Sequence, residues 1–382
     1  MSNGGIKKSS LGLNRANRVI VAIFAAHIGV GTILPVVPLH LVNELHASGT
    51  ELGLVLATFP IAALFGRFLG GHGTDKFGAR RIIIAGILGC ALAGALFMLP
   101  LSALGIAGVR TIQGVAQSLV WVAGVAWILE LGNPDRQTHN LNLVGASSWG
   151  GVTFGTLLGS VLQYLNASGA VAAIFALCAF PLATSVREAT RTKVINKSKS
   201  LISRAAILPG VLFGLGAVSF SAMGGFVVLH LNARSVNGAL ILSLFTLLVL
   251  LGRFFVVPLA VKVGLEKALT LSFISISLGL LLVALAQNIY IASLGTILIS
   301  LGHCVLWPAA GTLALSKTDL ADRGSTVGTM GAFFDISMGG SAAIFGFMIF
   351  SLGSQTVFIA AAAIVLCALT IHLVHEGRKS EI

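Results

Sequence analysis

Charge is scarce in this chain. Only 9% of its 382 residues are Asp, Glu, Lys or Arg, against roughly 25% in an ordinary soluble protein, so a water-soluble globule of this size is excluded. Cysteine is scarce as well. The four present, Cys90, Cys178, Cys304 and Cys367, all fall inside apolar runs and lack metal-type spacing, which argues against a disulfide framework or a zinc site and leaves them as small buried hydrophobes. No Walker-type glycine-rich loop is present, so ATP could drive this chain only through a separate ATPase. Zinc-protease, Ser/His/Asp and paired-carboxylate constellations are missing too, and no enzyme, cofactor or metal is expected.

What fills the chain is apolar: 56% of residues are hydrophobic and the mean hydropathy is +0.98. A membrane-crossing helix needs about 20 apolar residues. Twelve such runs stand between polar breaks: 18–42, 51–71, 82–101, 103–129, 141–165, 168–186, 205–231, 238–261, 267–286, 289–315, 325–351 and 355–375. They are continuous rather than alternating, which favours helices over an outer-membrane barrel. The expectation is an all-α polytopic membrane protein with almost no soluble part. The first run is too long for a signal-peptide core and no small-residue cleavage site follows it, so no cleavable leader is expected.

The formal charge of +12 reads as topology. Twenty of the 24 basic residues fall in segments assigned to one side, Arg234 alone falls on the other, and Arg67, Arg110 and Arg253 lie within spans. The positive-inside rule then puts both termini and the 187–204 loop in the cytoplasm of a cell whose inner membrane holds the protein. Basic residues interleaved with aromatics, as nucleic acid would require, are absent.

The 187–204 stretch, basic and not apolar, divides the spans six and six. The halves echo each other at an offset of 186: Gly66-Arg67-Phe68 returns as Gly252-Arg253-Phe254, Lys76 as Lys262, Gly78 as Gly264, Gln117 as His303, Trp121 as Trp307 and Gly145 as Gly331. A duplication gives an N-terminal bundle over 1–186, a basic linker over 187–204 and a C-terminal bundle over 205–382. Duplicated halves flanking a midplane site are one solution to alternating access.

Between spans 2 and 3 runs Gly71-His72-Gly73-Thr74-Asp75-Lys76-Phe77-Gly78-Ala79-Arg80-Arg81. It resembles the cytoplasmic signature of the major facilitator superfamily. Arg110-Thr111-Ile112-Gln113-Gly114 in span 4 resembles the superfamily's fourth-helix motif. Gly155-Thr156-Leu157-Leu158-Gly159 partly resembles its antiporter signature, which has proline where Thr156 stands. "SLGHCVLWPAAG" and "RGSTVGTMGAFFDISMGG" are similar to the YhhS/YfcJ-type, arabinose-efflux-permease-like branch. The resemblance implies twelve helices in two pseudo-symmetric six-helix bundles, for which a monomer suffices. It also implies that Gly71, Asp75, Lys76, Gly78, Arg80 and Arg81 form a latch in which Asp75 caps the eleventh helix and pairs with Arg136.

Polar residues inside spans are costly and therefore functional candidates. Asp335 lies ten residues into span 11, about 15 Å along a helix, where a carboxylate could exchange protons with either side. Arg110 could hold an anionic group or pair with Asp335, and His27 could relay protons. Arg67 and Arg253 read as snorkelling residues near the cytoplasmic face. Gln113, Gln117 and Trp121 share a helix face, and His303 with Trp307 takes the equivalent face of helix 10. Together they suit the walls of a substrate cavity. Ser147, Gly151, Gly155 and Gly159 make a small-residue ladder for close packing. Pro35 and Pro38 should break the end of span 1, and Pro308 should interrupt span 10.

The leading expectation is proton-coupled efflux of a small organic molecule, with protons and lipid as the other partners. The alternative is import, by symport or uniport, of a sugar or an organic anion. Asp75→Asn should destabilise the state closed to the cytoplasm, read as increased labelling of cysteines lining the cytoplasmic vestibule; unchanged labelling removes the latch.

Overall fold

Polar side chains start the helices. Asn14 accepts the Asn17 N–H at 2.8 Å ahead of α1 (Arg15–Ile33), and Ser48 with Glu51 forms a reciprocal capping box on α3 (Gly49–Phe77). Asn237 and Asn288 cap α9 (Gly238–Val263) and α11 (Ile289–Leu315) in the same way. Each cap gives an N–H of the first turn a partner that a bilayer could not provide. The computed structural model describes residues 14–131, 137–187, 202–318 and 323–380. Its remaining helices are α2 (Val36–Asn43), α4 (Ala79–Leu96), α5 (Ala103–Leu131), α6 (Gln137–Leu162), α7 (Leu165–Thr184), α8 (Ile207–Asn232), α10 (Leu265–Leu285), α12 (Arg323–Ser351) and α13 (Ser354–Ser380). No strand occurs among the described residues.

Eleven helical stretches are long and apolar enough to cross a membrane, α1 and α2 together counting as one. The sequence reading expects twelve. The exception is α6, whose 26 residues are rich in Gly, Ser and Thr and therefore less hydropathic than their neighbours. Proline acts differently at two sites. Pro35 separates α1 from α2, as expected of a residue with no N–H to donate. Pro308, expected to interrupt span 10, sits inside an unbroken α11. One missing hydrogen bond is tolerated there because α11 is held along its length by α9 and α10.

Glycines set how closely the helices approach. Gly151, Gly155 and Gly159 of α6 face α1, and a Cβ on Gly151 would stand 2.8 Å from that of His27. The seam between the halves is made by α3 on α12, α6 on α9 and α2 on α8. It is tightest at the end remote from the chain termini, where Gly49 and Gly53 of α3 meet Gly346 of α12. A Cβ on Gly53 would lie 2.7 Å from the Ala342 carbonyl and 2.8 Å from Gly346 Cα. Nearby, Leu34 and Leu56 lie against Gly224 and Gly225 of α8. One apolar core runs from the C-terminal half into this remote end of the N-terminal half, while a second is confined to α1, α4, α5, α6 and α7. These backbone and side-chain approaches close the two halves on each other at the remote end.

Gly53→Leu should push α3 off α12 at that seal, costing about 1–3 kcal/mol as an overpacked contact. Thermal unfolding checks the cost, and faster modification of a Leu34→Cys reporter checks the opening.

Candidate functional site

Arg67 of α3 and Asp335 of α12 join the two halves. Arg67 Nε–H and Nη2–H donate to the two carboxylate oxygens at 2.5 and 3.1 Å, a bidentate pair with fixed geometry. The Asp335 side chain is 3% exposed and that of Arg67 25%. The guanidinium also lies 5.3 Å over the Trp121 ring of α5, so one cation bridges three helices. Arg67 is not the surface residue that the sequence reading takes it for. That reading ends span 2 at residue 71, but α3 continues to Phe77, which leaves Arg67 ten residues, about 15 Å, from the end of its helix. The polar residues His72, Thr74, Asp75 and Lys76 lower the local hydropathy without ending the helix.

The duplication repeats this contact in altered form. Arg253, the equivalent of Arg67, leaves α9 and lies 5.6 Å over the Trp149 ring of α6. Asp335 and Trp149 are themselves 186 residues apart. Each arginine also passes beside an equivalent glycine, Gly331 for Arg67 and Gly145 for Arg253. The offset of 186 holds this juxtaposition in the sequence, but only packing shows that each arginine reaches the residue opposite it. The connections match as well, since Gly78 and Gly264 adopt φ of 97° and 99° between α3 and α4 and between α9 and α10, a region that glycine enters without strain.

Other singled-out residues fall elsewhere. Arg110 does not reach Asp335. It is 4% exposed, lies 4.8 Å over the Phe59 ring and donates to Gln113 Oε1 at 3.4 Å. Gln117 has a buried Oε1 without a hydrogen-bond partner. His27 Nδ1–H donates to the Ile23 carbonyl of its own helix at 2.8 Å. The Ser219 hydroxyl donates to Gly216 O at 2.7 Å, so His303 Nδ1–H donates to Ser219 Oγ at 3.3 Å. His303 also stacks on Phe220, while Trp307 packs against Phe213 in the same aromatic chain. Thr156, which replaces the antiporter proline, lies on the seam with its hydroxyl 2.9 Å from that of Thr246. Far from the seam, ligand atoms of Glu266, His372 and Glu376 lie within 4.8 Å of one another. That grouping could seat a cation, and its spacing of 106 residues between Glu266 and His372 hides it from sequence inspection.

The sequence profile of the Major Facilitator Superfamily matches residues 19–238 and 210–381. The chain belongs to the Major Facilitator Superfamily. Among superfamily relatives it is 26% identical over 374 residues to the Salmonella typhimurium MFS-type transporter STM4428, covering 93% of this chain and 95% of the relative. It is 27% identical over 382 residues to the Escherichia coli MFS-type transporter YhhS, covering 93% and 92%. The superfamily fold also recurs in solved structures. The nucleoside transporter NupG aligns with a TM-score of 0.74 at 14% identity over 95% of this chain and 99% of its own. A POT family transporter in complex with 5-aminolevulinic acid aligns with a TM-score of 0.79 at 13% identity over 95% and 96%. These proteins are membrane carriers rather than enzymes, and this chain is a membrane transporter of the same kind.

The superfamily signature is not a loop in this structure. Gly71 to Phe77 form the last two turns of α3, and Gly78 makes the bend. Gly71 faces open space; the close approaches are made by Gly66 and Gly70 against α5 and by Gly73 against Ile82. Lys76 lies 5.2 Å over the Phe77 ring, and Arg80 Nη2–H donates to the Thr184 carbonyl at 2.9 Å. Arg136, the expected partner of Asp75, lies outside the described residues.

Arg67→Gln leaves an uncompensated buried carboxylate and should cost about 3–5 kcal/mol. Asp335→Asn should cost less, because Arg67 keeps Trp121 and partial solvent access. The double variant should recover most of the loss; equal, additive losses in detergent unfolding would show that the pair is uncoupled.

Proposed function

We propose that this carrier exports a small organic molecule in exchange for protons by alternating access. The carrying observation is the Arg67–Asp335 pair, the ionic contact that spans the seam within the described residues. Protonating Asp335 removes the charge that Arg67 grips, and α3 is then free to move relative to α12. A carboxylate placed between two moving bodies links proton binding to their separation, which His27, bonded within α1, cannot do. Arg110 is likewise held by neighbours from one half. Asp335 is therefore the proton-coupling residue of this reading, and Gln113, Gln117, Trp121, His303 and Trp307 serve the substrate.

The seal at the remote end fits a state open toward the terminal end, and the concentration of basic residues there fits the cytoplasm of a cell whose inner membrane holds the carrier. Substrate then loads from the cytoplasm and leaves on the other side, where a proton takes Asp335. One proton crossing 100 mV supplies about 2.3 kcal/mol, enough for a roughly fifty-fold gradient. The latch of Asp75 with Arg136 belongs to the opposite, outward-open state in this scheme.

Everted vesicles with an interior pH dye provide the test, using drugs, sugars, siderophores and amino-acid derivatives as the panel. Wild type should respond to a transported compound with luminal alkalinisation, and Asp335→Asn should give none at equal expression. Equal responses would remove Asp335 from the proton path, and uptake without proton movement would favour uniport.

A further inference from the structure

We infer that the cargo is an organic anion with a flat apolar body, and that its negative group docks on Arg253 in the role that Asp335 plays for Arg67. This rests on the carrier reading above and adds to it the class of substrate.

The duplication carries the argument. Subtracting 186 from Arg253 gives Arg67, and subtracting it from Asp335 gives Trp149. Both arginines cross the seam beside a glycine. On one side the opposite helix supplies a carboxylate to meet the cation, and on the other it supplies an indole. Among the described residues no carboxylate pairs with Arg253, and its Nε is buried with no acceptor. A Cβ on Gly145 would stand 2.8 Å from Arg253 Nη1, so the backbone of α6 is bare where the guanidinium passes. A cation held this deep without a counter-charge is costly in a membrane protein, and an incoming anion would remove that cost.

The surroundings describe the rest of the ligand. Trp149 meets Phe220 edge-on at 5.6 Å and His303 at 6.1 Å, and Phe220 stacks on His303 at 5.7 Å with an interplanar angle of 28°. Aromatic faces and edges beside a guanidinium suit a planar body carrying one carboxylate or phosphonate. Arg110 also lacks a carboxylate, but its ring and amide neighbours, Phe59 and Gln113, both belong to the N-terminal half. Arg253 alone of these two stands on the seam, where a bound anion would tie α9 to α6 as Asp335 ties α12 to α3.

Binding to the purified full-length carrier in detergent tests this by calorimetry, with benzoate, indole-3-acetate and phenylphosphonate as anions and benzamide and indole-3-acetamide as neutral counterparts. Wild type should bind at least one anion tenfold or more tightly than its neutral counterpart. Arg253→Gln should erase that preference while leaving amide binding unchanged, and Trp149→Asp, which builds in the missing carboxylate, should also exclude the anion. Arg234→Gln, at the remote end, should keep the preference. Circular dichroism and elution profiles identify folded variants; should Arg253→Gln fail to fold, Arg253→Lys should retain the preference at a several-fold reduced affinity. No anion preference in wild type, or a preference that survives Arg253→Gln, would overturn the assignment. Because binding needs no proton gradient, an intact anion preference beside vesicles that stay silent when given that same anion would reject proton-coupled export and leave this site standing.

Discussion

A carboxylate in the apolar middle of a helix bundle has two acceptable conditions: paired with a cation or neutralised by a proton. In this carrier Asp335 sits on one half and its cation, Arg67, on the other. The choice between the two conditions is therefore also a choice between a seam that is tied and one that is not. Placing the pair within one half would have given a comparable local energy with no consequence for the relation of the halves. Its position across the seam ties together the features around it, from α5, which steadies Arg67 through Trp121, to the apolar contact beyond it.

That arrangement depends on backbones coming close enough for short-range contacts to matter. Gly49 and Gly53 against Gly346, and the ladder of Gly151, Gly155 and Gly159 against α1, provide the approach where larger residues would hold the helices apart. The two uses differ. The ladder welds α6 to α1 inside one half, so that the Thr156–Thr246 and Arg253–Trp149 contacts on the other face of α6 report on a body and not on a single helix. The glycines of α3 and α12 instead make a flat contact between bodies, without polar interlocks at that point.

Much of this was legible in one dimension. Hydropathy exposes the spans, the echo at 186 residues pairs Arg67 with Arg253 and Gly78 with Gly264, and Asp335 stands out as an acid where none is cheap. The helix period puts Gln113, Gln117 and Trp121 along one stripe of α5, where Gln113 meets Arg110, Gln117 Oε1 has no hydrogen-bond partner and Trp121 meets Arg67. Partner choice was not legible. Arg110 and Arg67 are both arginines inside spans, and only the packing of α3 on α12 decides which of them meets Asp335. The depth of Arg67 was hidden for a separate reason, because hydropathy falls at His72 while helical hydrogen bonding continues to Phe77. The low hydropathy of α6 has a local cause: the Gly, Ser and Thr residues that pack it against α1 and α9 dilute a helix whose outer face still carries Phe154, Leu157 and Val161.

The bends at Gly78 and Gly264 carry a mechanical consequence. Each joins two long helices through a single residue, α3 to α4 and α9 to α10. A one-residue joint has no slack, so each pair behaves as a bent rod and not as two rods on a string. A tilt of α3 at the seam would therefore pull on α4, which presents Leu88 and Leu92 on the outer surface of the bundle. The same holds for α9 and α10 with Leu271 and Leu278. Each outer arm carries apolar side chains on the outside of the bundle, so bilayer thickness and lateral pressure would act on any tilt of α3 or α9 at the seam.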